Sequence, residues 1–169
     1  MKKILKLTAL LFVAVTVLVG CDKFEYTMVE CKTRDFVYFV PDHFDYSISE
    51  DAEDFYLTRN SNIAVYAYNH AEFDAVFTDY SGDYSAMDVA EYIVEKREDN
   101  ANVYEGVENS AQYSFIYTDG ENSFYSITTV NTDAESVYVL VFSCVLDKLD
   151  LYQDMIFEIL DSARIVEGE

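Results

Sequence analysis

The chain has 169 residues, 32 of them acidic against 11 basic, for a formal charge of −21. An apolar fraction of 51%, with one proline and five glycines, excludes a disordered acidic tail and a low-complexity linker. The negative field argues against nucleic acid as a partner and repels anionic lipid headgroups; it suits cations, basic peptides or simple solubility.

The chain opens with Lys2, Lys3 and Lys6, followed by an apolar run from Leu7 to Val19 broken only by Thr8 and Thr16. That run is short for a membrane span and suits the hydrophobic region of a secretory signal. It ends in Leu18-Val19-Gly20-Cys21, which resembles the lipobox of bacterial lipoproteins. The expectation is a signal peptide over residues 1–20 and lipidation of Cys21. Two or more acyl chains anchor stably, at about 0.8 kcal/mol per buried CH₂. Asp22 would resemble an inner-membrane retention signal in an enteric bacterium. Loss of residues 1–20 leaves 8 basic against 32 acidic residues, a formal charge of −24. Such a domain is repelled by an anionic membrane, so the lipid alone would hold it at the outer face of the cytoplasmic membrane, the outer membrane or the cell surface.

Residues 21–34 read as the lipidated cysteine followed by a tether or an irregular first strand. Phe36 to Val40 is β-branched and aromatic and stops at Pro41-Asp42, a strand and a turn. Phe44 to Ile48 predicts a short strand with Phe44, Tyr46 and Ile48 on one face. Phe55 to Arg59 and Ile63 to Tyr68 form a hairpin, with Ile63, Val65 and Ala67 on the core face and Tyr66 and Tyr68 on a wetter one. Asp74 to Tyr84 reads as an acidic loop. Ser85 and Asp88 then form a capping-box pattern ahead of a helix whose apolar stripe is Ala86, Val89, Ala90, Ile93 and Val94, ending near Glu98 to Asn100. Val103 to Val107 is a weak strand. Ala111 to Thr118 and Asn122 to Val130 flank a turn at Asp119-Gly120. Ser136 to Leu146 is apolar enough for a central strand buried on both faces. A final amphipathic helix, about Asp147 to Ala163, carries Leu149, Tyr152, Ile156, Ile159, Leu160 and Ala163 on its core stripe.

The element order resembles the Mog1/PsbP-like family over residues 35–166. The matching pieces are the Phe-rich strand before Pro41, the hairpin ending at Tyr68, the helix begun by Ser85, the Asp119-Gly120 hairpin, the Val137 to Phe142 strand and the Ile159-Leu160-Asp161-Ser162-Ala163 ending. The resemblance implies an α+β fold, an antiparallel sheet flanked by helices. It also implies an accessory or binding role, since most members of that family are not enzymes.

Candidate chemistry is sparse. Cys31 and Cys144 could be bridged in an exported compartment, closing a long loop worth up to about 4–5 kcal/mol, or be two separate thiols. Asp74, Asp79 and Asp83 are candidate Ca²⁺ ligands, although the spacing is not that of an EF-hand and Asp88 is better explained as a cap. His43 and His70 lack metal-site spacing and read as loop histidines. No nucleophile–base pattern points to catalysis. Tyr66 and Tyr68 are candidates for a patch that binds an envelope or extracellular protein or glycan. The expectation is therefore a non-enzymatic, lipid-anchored module without an obligate cofactor, with Ca²⁺-dependent binding as the alternative and a hydrolase as a weaker one.

Replacing Cys21 with Ser is expected to abolish incorporation of labelled palmitate and to move the protein from the membrane fraction to the soluble one. A variant that stays with the membrane would make the cysteine incidental.

Overall fold

The computed structural model describes residues 25–97, 101–107 and 109–166, so the signal segment, Cys21 and the expected helix end at 98–100 lie outside the described residues. The chain begins with two strands, β1 (Met28–Thr33) and β2 (Phe36–Pro41). Three more follow, β3 (Asp45–Ser47), β4 (Asp54–Leu57) and β5 (Ser61–Asn69). Helices α1 (His70–Val76) and α2 (Ala86–Lys96) come next. A meander of β6 (Val103–Glu105), β7 (Ser110–Asp119), β8 (Asn122–Thr132) and β9 (Ser136–Val145) leads through one 3-10 turn to α3 (Leu149–Ser162), and β10 (Arg164–Ile165) ends the fold.

Seven strands form one antiparallel sheet in the order β3-β4-β5-β9-β8-β7-β6. The apolar run Val137 to Phe142 thus occupies the middle strand, as its composition predicts. Side chains alternate across a strand, so β9 feeds two cores. Tyr138, Leu140, Phe142 and Cys144 join Ile63, Val65 and Ala67 on one face, under Met155, Ile156, Ile159 and Leu160 of α3. Val137 and Val139 join Ala111, Tyr113, Phe115 and Val130 on the other, under Phe73 of α1 and the five-residue stripe of α2. That stripe is buried as its helical spacing predicts.

The remaining strands make a second sheet, β1-β2-β10, which shares the first face with α3. Phe36 stacks on Tyr138 with ring centroids 4.9 Å apart. Residues 28–33 are a regular strand paired throughout with β2, rather than tether. Ser162, in the family-like ending of α3, accepts from the Phe39 backbone N–H at 2.8 Å and fastens the helix to β2.

Three local readings change. The hairpin turn is centred on Gly120-Glu121, because Asp119 pairs with Asn122; Gly120 has φ +62° at the first central position, where glycine carries no steric cost. Strand β3 is a short edge, and Tyr46 and Ile48 point to solvent rather than to the core. Helix α1 (His70–Val76) runs into the expected loop, so residues 74–76 are helical. Asn69 caps that helix: its side chain accepts from the Glu72 N–H while Glu72 accepts from the Asn69 N–H, both at 2.8 Å.

Two polar links tie the layers together. Tyr38 donates to Asp54 Oδ2 at 2.6 Å, and Thr33 donates to the same oxygen, joining the small sheet to β4. Burial, then the bond to Asp54, pushes the Tyr38 hydroxyl well above the usual tyrosine range, so it stays a donor. Arg34 forks to Glu53 at 3.0 Å and Glu72 at 2.8 Å, joining the β1–β2 turn to α1. That guanidinium, with the Asn69 N–H, holds the Glu72 carboxyl below the usual glutamate range.

Tyr38→Phe is expected to cost about 1–2 kcal/mol in urea denaturation, because it removes one donor from a partly buried carboxylate. An unchanged midpoint would show that the small sheet is held by apolar contacts alone. The depressed Glu72 pKa contributes stability above the ordinary carboxylate range that is lost as pH falls through the folded value. Melting temperature should therefore decline less steeply between about pH 5 and pH 3 in Glu72→Gln than in the wild type. Parallel slopes would show that the fork adds nothing.

Candidate functional site

The second face of the large sheet is only partly roofed. Beyond the C-terminal end of α2 the sheet lies open, leaving a groove of about 310 Å³. Its floor is made of strand residues in register. Asn62 and Ala64 of β5 oppose Ser143 and Val141 of β9, and Ser143 in turn opposes Ser126 of β8. Aromatic rings stand around it: Phe55, Tyr66, Tyr68, Phe77, Tyr113 and Tyr117. Lys96 and Arg97, at the end of α2, complete the lining with Ile93.

Tyr66 and Tyr68, expected on the wetter face, are therefore both half-buried groove residues. Burial, followed by the charge of Asp51 for Tyr66 and of Tyr66 for Tyr68, raises both hydroxyls above the usual tyrosine range. The positive charge of Arg97 partly offsets that rise at Tyr66. The same guanidinium sits 4.9 Å over the Phe115 ring. Lys96 is engaged by Asp79.

The polar part of the floor is specific. Ser143 donates to Ser126 at 3.0 Å, and both are buried. One step along β8, Thr128 lies on the same face, paired with the groove residues Val141 and Tyr113. It is 1% exposed, and its hydroxyl has no hydrogen-bond partner among the described residues. A buried hydroxyl left unpaired costs about 1–3 kcal/mol. The sequence signal for this row was the Ser-Ile-Thr alternation of residues 126–128 and the Ser143 that interrupts an apolar strand. Neither points to a site until the strands are in register.

No protein-family model and no curated protein matches the chain. Solved structures do. PsbP from Synechocystis sp. PCC 6803 is 13% identical, aligns over 87% of this chain and 96% of its own, and superposes with a TM-score of 0.53. A mutant of Mog1 is 10% identical over 86% of this chain and 98% of its own, with a TM-score of 0.54. A Bacteroides thetaiotaomicron protein is 11% identical over 79% of this chain and 46% of its own, with a TM-score of 0.53. This chain has the Mog1/PsbP-like fold. At these identities the likeness concerns the fold and leaves the site to be read from its own residues.

Within the Mog1/PsbP-like frame, the other expected site residues fall apart. Asp74, Asp79 and Asp83 are not gathered into a chelate. Asp74 accepts from Tyr84 at 2.5 Å, Asp79 accepts from Tyr92 and pairs with Lys96, and the backbone carbonyl of Asp83 takes the Tyr80 hydroxyl. Among the described residues, no cluster of three His, Cys, Asp or Glu side chains could hold a metal. The described side chains therefore offer the expected Ca²⁺ ligands no shared site, and aromatic rings pack through this segment. Phe73, Phe77, Tyr80, Tyr84 and Tyr92 pack edge to face or tilted, and the Tyr84 and Tyr92 hydroxyls occupy the Asp74 and Asp79 carboxylates. The histidines are separate too: His70 stacks on Tyr84 at 3.5 Å, and His43 lies against Phe44. Ser85 caps α2 by accepting from the Asp88 N–H at 3.1 Å, and its hydroxyl donates to the Asp88 carboxylate at 2.6 Å.

Of the two arrangements left open for Cys31 and Cys144, the structure has separate free thiols. Cys31 is half-buried on β1 beside Tyr56, whereas Cys144 is wholly buried beneath α3. Burial pushes the Cys144 thiol up to about 11, keeping it protonated and unreactive at neutral pH. Iodoacetamide should modify Cys31 in the folded protein and reach Cys144 only after denaturation, read by peptide mass. Labelling of neither until a reductant is added would restore the bridge.

Proposed function

We propose that this chain is a lipid-anchored, exported accessory protein of the bacterial cell envelope that binds a ligand in the groove beside Tyr66 and Tyr68, without catalysis. The groove itself carries the reading. It falls within the size range of small-molecule sites, and it is mostly apolar and aromatic with a few placed polar groups. Tyrosine offers a flat amphipathic surface suited to such recognition.

Its chemistry supports binding rather than turnover. Among the described residues, no histidine, aspartate, glutamate or cysteine lines it. The two serines there bond to each other, and none of the described lining residues offers them a general base. The resemblance to a family dominated by accessory proteins agrees with this. The anchor rests on the lipobox-like segment ending in Cys21. Among the described residues no helix is long and apolar enough to cross a membrane, so the lipid would supply the attachment. The strongly negative domain would then be presented outward, to an envelope or extracellular protein or glycan that delivers or receives the ligand.

The test is native mass spectrometry of the purified domain after incubation with an extract of the host envelope. A retained small mass is expected for the wild type and should be lost in Tyr68→Ala and in Asn62→Trp, which fills the groove from a half-buried floor position. Retention of the same mass by both folded variants, or by no form of the protein, would overturn the reading.

A further inference from the structure

The groove beside Tyr66 and Tyr68 adjoins a second space of about 690 Å³ at the end of the large sheet. The two share Phe55, Asn62 and Ser143, and their strand residues lie on one face of the sheet. Together they follow β5 from Tyr68 back to Asn60, roughly 26 Å at the rise of a strand. That is several times the width of one sugar ring. Flat rings recur along the way: Tyr66 and Tyr68 in the groove, Phe55 at the junction, then Tyr117 and Phe124, stacked with centroids 5.3 Å apart. Between them stand Asn60, Asn62 and Asn122, whose side-chain amides make no hydrogen bond to another described residue. In the floor between Val141 and Tyr113, Thr128 holds a buried hydroxyl without a partner among the described residues, which favours a polar occupant over an all-apolar one. The cations along the cleft are engaged or peripheral. Lys96 pairs with Asp79, Lys148 pairs with Asp147 at 3.7 Å, Arg97 sits over Phe115, and Arg59 is exposed at the outer end.

We propose that this cleft binds a neutral oligosaccharide, its ring faces laid on Tyr66, Tyr68, Phe55 and Phe124 and its hydroxyls met by Asn60, Asn62 and Asn122. This inference rests on the groove reading above and adds the ligand's chemical class and its extent. A sugar ring has an apolar C–H face that packs on an aromatic ring and a rim of hydroxyls that both donate and accept. A side-chain amide also does both, so one amide can serve a hydroxyl in either sense. The alternation of rings and amides along the cleft repeats that chemistry at successive places, as a chain of sugars requires. Charge selects the neutral kind. The expected mature chain carries a formal charge of −24, a field that repels an acidic glycan. An extended peptide fits less well. Strands β5, β8 and β9 each have a neighbour on both sides, so their backbone groups are spent within the sheet and offer a peptide no ladder.

An array of immobilised neutral and acidic glycans, from single sugars to hexasaccharides, tests the assignment on the chain lacking residues 1–20, with Cys21 changed to Ser. At least one neutral chain should be retained. In titration calorimetry that chain should bind at least about tenfold more tightly than its own monosaccharide, the scale of one or two added hydrogen bonds. Asn122→Ala, at an exposed position in the second space, should weaken the long chain severalfold and leave the monosaccharide unchanged. Asn62→Trp, at the junction, should abolish binding of both. Preference for acidic glycans overturns the neutral class. Equal affinity for the chain and its monosaccharide overturns the extent, and binding that survives Asn62→Trp overturns the placement. If no glycan is retained while the envelope extract still yields a bound mass, the class fails alone; if the extract yields none, both readings fail.

Discussion

Everything in this fold hangs on the pairing of β9 with β5 and β8. Its even-numbered side chains, Tyr138 to Cys144, build the core under α3, and its odd-numbered ones, Val137 to Ser143, build the face under α1 and α2. A register slip of one residue would exchange the two sets. It would put Ser143 into the core beneath Met155 and Ile156, and it would send Phe142 to the groove. The same pairing that fixes both cores therefore also places the groove floor.

The groove follows from a mismatch of lengths. Helix α2 has 11 residues and spans about 16 Å, whereas β8, also of 11 residues, spans about 36 Å. A helix that short cannot roof strands that long, and α1 covers the same end through Phe73. The other face has no such gap, because α3 shares it with the small sheet. Aromatic side chains from β4, β5 and β7 partly close the open half, and small floor residues such as Ala64 and Ser126 keep it hollow.

The acidic composition is absorbed in two ways. Many carboxylates simply face solvent. Others are tied down locally: Asp54 accepts Tyr38 and Thr33, Glu72 accepts Arg34 and the Asn69 N–H, and Asp74 and Asp79 accept tyrosine hydroxyls. This explains why so tyrosine-rich a chain carries so many acids close to its aromatic clusters. It also explains what holds the acidic segment after α1: Tyr84 and Tyr92 each supply a ring to bury and a donor for a carboxylate, and Tyr80 donates to the Asp83 carbonyl.

Much of this architecture was legible in the sequence. The β9 run, the Ile63 to Tyr68 alternation and the α2 stripe are strong periodic signals set by burial on one or two faces, and the structure keeps them. Strand β1 and helix α1 were not legible, because β1 mixes exposed charges on an edge and α1 is short with Phe73 as its one buried residue. The separation of Cys31 from Cys144 and the dispersal of Asp74, Asp79 and Asp83 were equally hidden, since both depend on where side chains point in space. The sequence by itself determined the secondary elements, the fold class and the faces that must be buried, through hydrophobic period. Only the tertiary structure decided that Tyr66 and Tyr68 share a groove with Ser126, Ser143 and Arg97, because strand register and the length of one helix bring together residues that no local pattern connects.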